Sequence, residues 1–460
     1  MPYPVIAALA AAAAVQSAPA PMHQFHELAL SPAGDLIATV EFDEQANAAE
    51  PAHGRVVVRT RDDGTVVATF DPCPTCRYSG AAWSPDSKSL VFVASDPKTR
   101  SATLERVDDG VLGKVVAFDG LLAMPRWSPD GRRLSVLATA APHKETGATQ
   151  AGAARVGDIG TETDERRIAV LPSKGGDIRF VSPADTFVYE YDWTPDGKGF
   201  VATGARGDGD NNWWIAKLDY VELSSGAVRE LAAPSFQMNA PRVSPDGKTV
   251  AFIGGLMSDL GPVGGDLYTV PLAGGPAINR TPGIKGSFSG LTWLRSGLYA
   301  TALMGENNTL MSVDPASGAT RLLWSQPARW GAGDGRVALS ADGQIAATVG
   351  ESFMAPPEIV AGKPAAMASI THENALATPH VAKAQSIVWK SDGFDVQGWL
   401  LTPPRALLEP SKTYPMVTNV HGGPSAAHQP NFIWKGPLQG LLDQGFFVLM
   451  PNPRGSHGQG

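Results

Sequence analysis

The sequence predicts an all-β seven-bladed propeller followed by the opening part of an α/β domain. Three observations predict it. A Ser-Pro-Asp-Gly-like turn recurs every ~44 to 66 residues, and repeats near that period are the mark of propeller blades. Gly 50 and Pro 38 in 460 residues favour turns and short strands over long helices. After Tyr414 the pattern changes to a strand, a Gly-rich loop, a helix and a strand, which is how an α/β sheet begins.

The length suggests two domains, and 43% hydrophobic with 18% charged residues is the balance of a soluble protein with ample core. A net charge of −8 gives no reason to expect a nucleic-acid partner. Residues 1–21 carry an apolar run, Val5 to Val15, too short to span a bilayer and followed by small residues at Ser17, Ala18 and Ala20. They read as a signal peptide whose n-region lacks Lys and Arg, so export to a periplasmic or extracellular space is expected, with no other membrane segment. An Ala-rich leader that is not cleaved, leaving the protein cytoplasmic, is the alternative.

The propeller is expected over 22–378. Clear copies run Leu30–Val40, Trp83–Val93, Trp127–Leu137, Trp193–Thr203 and Val243–Ile253, and degraded ones Thr292–Ala302 and Leu339–Val349. In each, Pro sets φ, Asp bonds its own backbone, Gly takes positive φ, and an alternating apolar run begins the next strand. Second hairpins follow at Arg55–Phe70, Leu267–Asn279 and Thr309–Trp324. Radial stacking of such sheets buries faces that a lone sheet would expose. Cys73-Pro-Thr-Cys76 is a lone CxxC without further zinc ligands, so a local disulfide is expected. Pro142 to Thr163 reads as an extended insertion. Gly207 to Trp214 holds two acids and two amides, yet lacks the bidentate Glu of a calcium loop; it reads as a turn into a strand whose tryptophans pack between blades. No metal or cofactor motif is found.

Residues 379–460 form the second unit. Val381 to Pro404 alternates around Ser391-Asp392-Gly393 as a hairpin. Met416 to Val420 is an apolar run that breaks into His421-Gly422-Gly423-Pro424; Leu438, Leu441 and Leu442 mark an amphipathic segment. Phe446 to Met450 leads to Asn452-Pro-Arg454-Gly-Ser456-x-Gly-x-Gly460. Gly-Gly after a strand presents backbone N–H groups where no Cβ blocks approach, which suits an oxyanion.

HGGP followed by NPRGSxGxG resembles the start of the catalytic domain of the prolyl oligopeptidase family of serine peptidases, most of all its acylaminoacyl- and dipeptidyl-peptidase-like bacterial members. The resemblance implies the N-terminal part of an α/β-hydrolase domain after the propeller, with short peptides as substrates and no cofactor. It implies that Gly423 N–H is one oxyanion donor, that Gly422 lets the substrate carbonyl approach, and that His421 and Arg454 shape the site. His421 is expected to orient the loop, because the base of a hydrolase triad follows its nucleophile in sequence. Arg454 is expected to brace its loop by bonding backbone carbonyls, or else to bind a substrate carbonyl or carboxylate.

His428 and His457 are expected to be solvated, and nothing in the sequence marks a base for Ser456. Glu190 and Asp192 resemble the acidic pair that holds a substrate amine, but as alternating strand residues they are expected on a solvent-facing blade rim. No G-x-S-x-G occurs, so the chain is expected to end before its catalytic Ser, Asp and His, to be inactive alone, and to leave Met416–Val420 as an unpaired sheet edge. The alternative reading is an exported propeller that binds without catalysis.

Overall fold

A computed structural model of the chain describes residues 21–46, 52–142, 164–207, 209–258, 260–261, 263–331, 336–404 and 408–459. Positions 1–20 of the expected leader and 143–163 of the expected insertion lie outside them. The described strands form seven antiparallel sheets in chain order and then one mixed sheet. In each of the first six the chain runs from the innermost strand outward, as in Met22–Leu30, Leu36–Glu44, Arg55–Thr60 and Val66–Phe70. In the seventh, two short segments, Arg329–Trp330 and Ala338–Leu339, share the inner edge beside Ala346–Glu351.

The recurring turn works as its residues require. Ser84, Ser128, Ser244 and Ser340 each donate Oγ to the Asp two residues on at 2.6 Å, and Thr194 does so to Asp196 at 2.7 Å. That Asp then accepts the N–H two residues further on, as from Lys88 and Arg132. Glycine holds the positive φ in most copies, for example Gly247 at 69°, whereas Ser87 takes it at 63° in the second.

Each pair of neighbouring sheets shares its own apolar cluster. Leu90 and Phe92 meet Val56 and Val58 between the first two sheets, and Val201 and Leu218 meet Phe252 and Val270 between the fourth and fifth. A fully buried phenylalanine such as Phe92 or Phe252 contributes about 1.5–3 kcal/mol. The first and last sheets meet through Phe25 and Ile37 against Val349 and Ile359, so the series closes on itself. Polar contacts secure that seam. Asn374 Nδ2 donates to the His23 carbonyl at 2.9 Å and Asn374 Oδ1 accepts His23 N–H at 2.8 Å, while Arg59 bridges Glu41 and Glu373.

Cys73 and Cys76 form the local disulfide expected of them. The Gly207–Trp214 segment is corrected. It contains a helical turn, Gly209–Asn212, and a 3₁₀ turn, Trp213–Ile215, in place of a strand entry; Trp213 is buried but Trp214 is exposed.

The final sheet orders Lys383–Ser391, Phe394–Thr402, Phe447–Asn452 and Met416–Thr418. The first pair is the hairpin predicted around Asp392, and Met416–Thr418 runs parallel to Phe447–Asn452 at the sheet's edge. Helix Gly436–Asp443 starts with Pro in its first turn, where a missing N–H costs nothing, and buries Leu442 against Val448 and Trp399. Phe353, between the seventh sheet's strands Ala346–Glu351 and Glu358–Lys363, joins the same cluster and anchors the final sheet to the ring. Among the described residues no helix is long and apolar enough to cross a membrane.

Candidate functional site

The edge strand places the glycine pair. Its pairing continues through Asn419 N–H to the Leu449 carbonyl at 2.8 Å, and the chain then turns through His421. A Cβ at Gly422 would meet open space, and Gly423 has φ +130°, a conformation L side chains rarely adopt. Among the described residues neither glycine N–H donates a hydrogen bond within the chain. The loop is held from the ring: Ser425 N–H donates to Ser258 Oγ at 2.7 Å, and that oxygen lies 3.1 Å from where a Gly423 Cβ would stand. The result is a braced loop offering two unspent amides.

His421 ties this loop to the other motif. Its Nδ1 is 2.8 Å from the Gly422 carbonyl, which can only accept, so a neutral His421 carries its proton on Nδ1. Nε2 is then an acceptor, 2.9 Å from Ser456 Oγ. Ser456 therefore has a histidine beside it that sequence reasoning missed, because the two residues are 35 apart and meet only in the fold. With Ser456 buried, the pair acts as a latch between HGGP and NPRGS.

The two other loop histidines are corrected from solvated to packed. The His428 ring lies edge-on to His421 at 5.0 Å, with Nε2 2.9 Å from the Asn419 carbonyl, and burial lowers its pKa. His457 lies against Gly264, and burial together with the charge of His421 pushes it down to about 4. Gly458 N–H donates to Ser287 Oγ at 3.0 Å, and the Gly458 carbonyl accepts Gly305 N–H at 2.6 Å, so the last described turn lies on the fifth and sixth sheets.

Arg454 is turned to the hairpin. Its guanidinium donates to Asp392 Oδ2 at 3.1 Å and lies 5.3 Å from the Phe394 ring centre, with a side-chain exposure of 53%. The brace is thus to a side chain rather than to carbonyls. The structure brings His421, Gly422, Gly423 and Ser456 together, and Arg454 stands apart from them.

Glu190 and Asp192 are corrected too. Strand Thr186–Trp193 bulges between Val188 and Glu190, which turns Glu190 inward toward a cavity of about 780 Å³ at the hub, lined by all seven ring sheets. Glu190 is buried; Oε2 accepts Ala240 N–H at 2.5 Å and Oε1 faces Arg336 at 3.3 Å. Asp192 accepts Val243 N–H at 3.2 Å and lies 3.8 Å from Arg126. Neither carboxylate stands on an outer rim.

No protein-family model matches the chain. An uncharacterised peptidase of Bacillus subtilis, YuxL, is 42% identical over 69 residues, 15% of this chain and 10% of that protein. Dipeptidyl-peptidase 5 of Porphyromonas gingivalis is 23% identical over 288 residues, 59% of this chain and 40% of that one. The chain therefore spans less than half of either relative. Among solved structures, an acylaminoacyl peptidase bound to Z-Gly-Gly-Phe-chloromethyl ketone matches with TM-score 0.71 at 16% identity, over 95% of this chain and 66% of that one. A Mycobacterium tuberculosis puromycin-hydrolysing peptidase matches with TM-score 0.67 at 18% identity, over 95% and 67%. The chain is thus similar in sequence to peptidases, dipeptidyl-peptidase 5 among them, and shares its fold with acylaminoacyl peptidase and prolyl endopeptidase structures.

Proposed function

We propose that this chain is the propeller and oxyanion-loop portion of an exported serine peptidase that cleaves short peptides through an acyl-enzyme, as dipeptidyl- or acylaminoacyl-peptidases do. On this reading residues 1–21 are a signal peptide, 22–378 a seven-bladed propeller, and 379–460 the first part of an α/β-hydrolase domain. The observation that carries it is the pair of unspent amides at Gly422 and Gly423, on a loop braced by His421, Ser456 and Ser258. Two preorganised N–H groups suit the charge that develops on a carbonyl under attack. Nucleophile, acid and base are assigned to sequence not contained in these 460 residues, so the chain alone is expected to be inactive.

The test compares the 460-residue chain with the product of the full open reading frame. Dipeptidyl and N-acylaminoacyl chromogenic substrates and a fluorophosphonate probe are applied to both. Hydrolysis and labelling confined to the longer product, with kcat lowered about 10²-fold by Gly423→Val, which cannot hold φ +130° and so displaces one oxyanion donor, support the reading. Labelling of the 460-residue chain, or a full product that binds peptides without turning them over, overturns it; the second result makes the protein a binding propeller.

A further inference from the structure

The hub cavity has a chemistry that the peptidase reading does not use. Although the chain carries a net charge of −8, the cavity wall holds four guanidiniums: Arg126 and Arg242 on strands of the third and fifth sheets, and Arg166 and Arg336 just ahead of strands of the third and seventh. Among the described residues, Glu27 and Glu190 on the wall and Asp192 beside Arg126 are carboxylates facing them. Both wall carboxylates are already engaged by the ring: Glu27 accepts Gly80 N–H at 2.8 Å, and Glu190 accepts Ala240 N–H.

Arg242 is the least compensated of the four. Its Nε and Nη1 donate to the carbonyls of Leu291 and Pro241 at 3.0 and 2.7 Å, and it forms no ion pair among the described residues. Burial first, and then the nearby charge of Arg126, push its pKa down to about 10 against the pull of Asp192 and Glu190. Arg126 lies over the Tyr191 ring at 5.4 Å, and its Nε is buried with no partner. On the same wall Asn239, 1% exposed, leaves Oδ1 buried without a donor. Two under-compensated cations beside an unused acceptor match a carboxylate with a peptide N–H close by.

We propose that the hub cavity is a carboxylate-binding site for short peptides, with Arg242 and Arg126 holding the carboxylate and Asn239 Oδ1 accepting the adjacent peptide N–H. Its volume is that of a small-ligand pocket, and guanidiniums recognise planar carboxylates through paired N–H donors. The carboxylate is a peptide's C-terminus or an acidic side chain. The proposal concerns equilibrium binding and stands apart from catalysis, so it survives a negative result in the peptidase assay.

The test is titration calorimetry on the full chain with three peptides: Ala-Ala-Ala as free acid, the same peptide as C-terminal amide, and N-acetyl-Ala-Asp-Ala-amide. Binding of the free acid at least tenfold tighter than the amide, weakening as salt rises, is expected. A similar gain for the aspartyl peptide identifies the side chain as a second source of the carboxylate; no gain confines the site to C-termini. Arg242→Gln and Asn239→Asp are each expected to abolish the preference, whereas Arg229→Gln, on the outer face beside Tyr220, leaves it intact. Equal affinity for acid and amide in the unaltered chain, or no binding at millimolar peptide, overturns the proposal without recourse to any variant.

Discussion

Replacing Glu41 with Gln tests whether the seam between the first and last sheets is held by charge. Glu41 is 4% exposed and accepts Arg59 Nε and Nη2 at 2.8 and 2.7 Å, Thr39 Oγ1 at 2.6 Å and His23 Nε2 at 3.1 Å. Burial alone raises a carboxyl, but here the bonds from Arg59, His23 and Thr39 overcome it and hold the group at about 2 instead of 4.5. That difference corresponds to roughly 3 kcal/mol at 1.36 kcal/mol per pH unit. A depressed carboxyl means that the unfolded chain takes up the proton first. The stabilisation is therefore complete above pH 4.5 and is lost as pH falls from there toward 2. His23, whose pKa is raised by Glu41 and Asp43 against its burial, has the opposite sign: its share is full below 6.5 and fades as pH rises through its folded value.

Urea unfolding at pH 5, followed by tryptophan fluorescence, isolates the carboxylate. Glu41→Gln is expected to cost about 3–5 kcal/mol there, since it leaves Arg59 buried with half its partners gone. The cost should shrink toward pH 2, where the parent has lost the same interaction. Glu41→Met with Arg59→Met should cost less than Glu41→Gln alone. A change under about 0.5 kcal/mol at pH 5, or a cost that does not vary with pH, would refute the reasoning.

The remaining predictions concern the loops. Ser456→Ala should cost about 1 kcal/mol and speed amide exchange at Asn419 and Ser425, whose bonded N–H groups flank the glycine pair, read by hydrogen–deuterium exchange; unchanged exchange would remove the latch. Gly264→Ala would put a Cβ 2.5 Å from the His457 ring, so proteolysis should cut the segment after Asn452 sooner while leaving the ring intact. His457, neutral by burial, penalises the folded state as pH falls from 6.5 toward 4, so limited proteolysis should release the same segment at pH 4.5 but not at pH 7, and His457→Gln should flatten that response. Gly318→Ala meets the Arg280 carbonyl at 1.6 Å with φ +77° and should destabilise by more than about 2 kcal/mol in a urea melt.

The ring was legible because its turns are chemical. Ser, Asp and Gly at fixed offsets each satisfy a local demand, so WSPDGRRL reveals its hairpin without tertiary information. The Asp392 hairpin and the Leu442 helix were legible for the same local reasons. The hub was not. Glu190 and Arg242 sit in strands whose alternation is broken by a bulge, between Val188 and Glu190 and between Asn239 and Arg242, so counting by twos sends their side chains to the wrong face. The His421–Ser456 contact depends on two loops that leave the same end of the parallel strands Met416–Thr418 and Phe447–Asn452. His457 looks like any loop histidine until Gly264 is brought against it. What stayed hidden in each case was convergence between distant segments.

Among the described residues every ring sheet is drawn from one run of chain, and no strand is lent across the seam between first and last. Closure there depends on contacts outside the strand ladders, from Phe25 and Ile37 to the Asn374 clasp and the Ala341 N–H bond to the Pro32 carbonyl. The circle is thus a string of self-sufficient modules whose ends are fastened, not woven. Cutting it at any inter-sheet loop and rejoining the old ends would keep every backbone pairing, so the order in which the modules are strung is free to change while the shape persists.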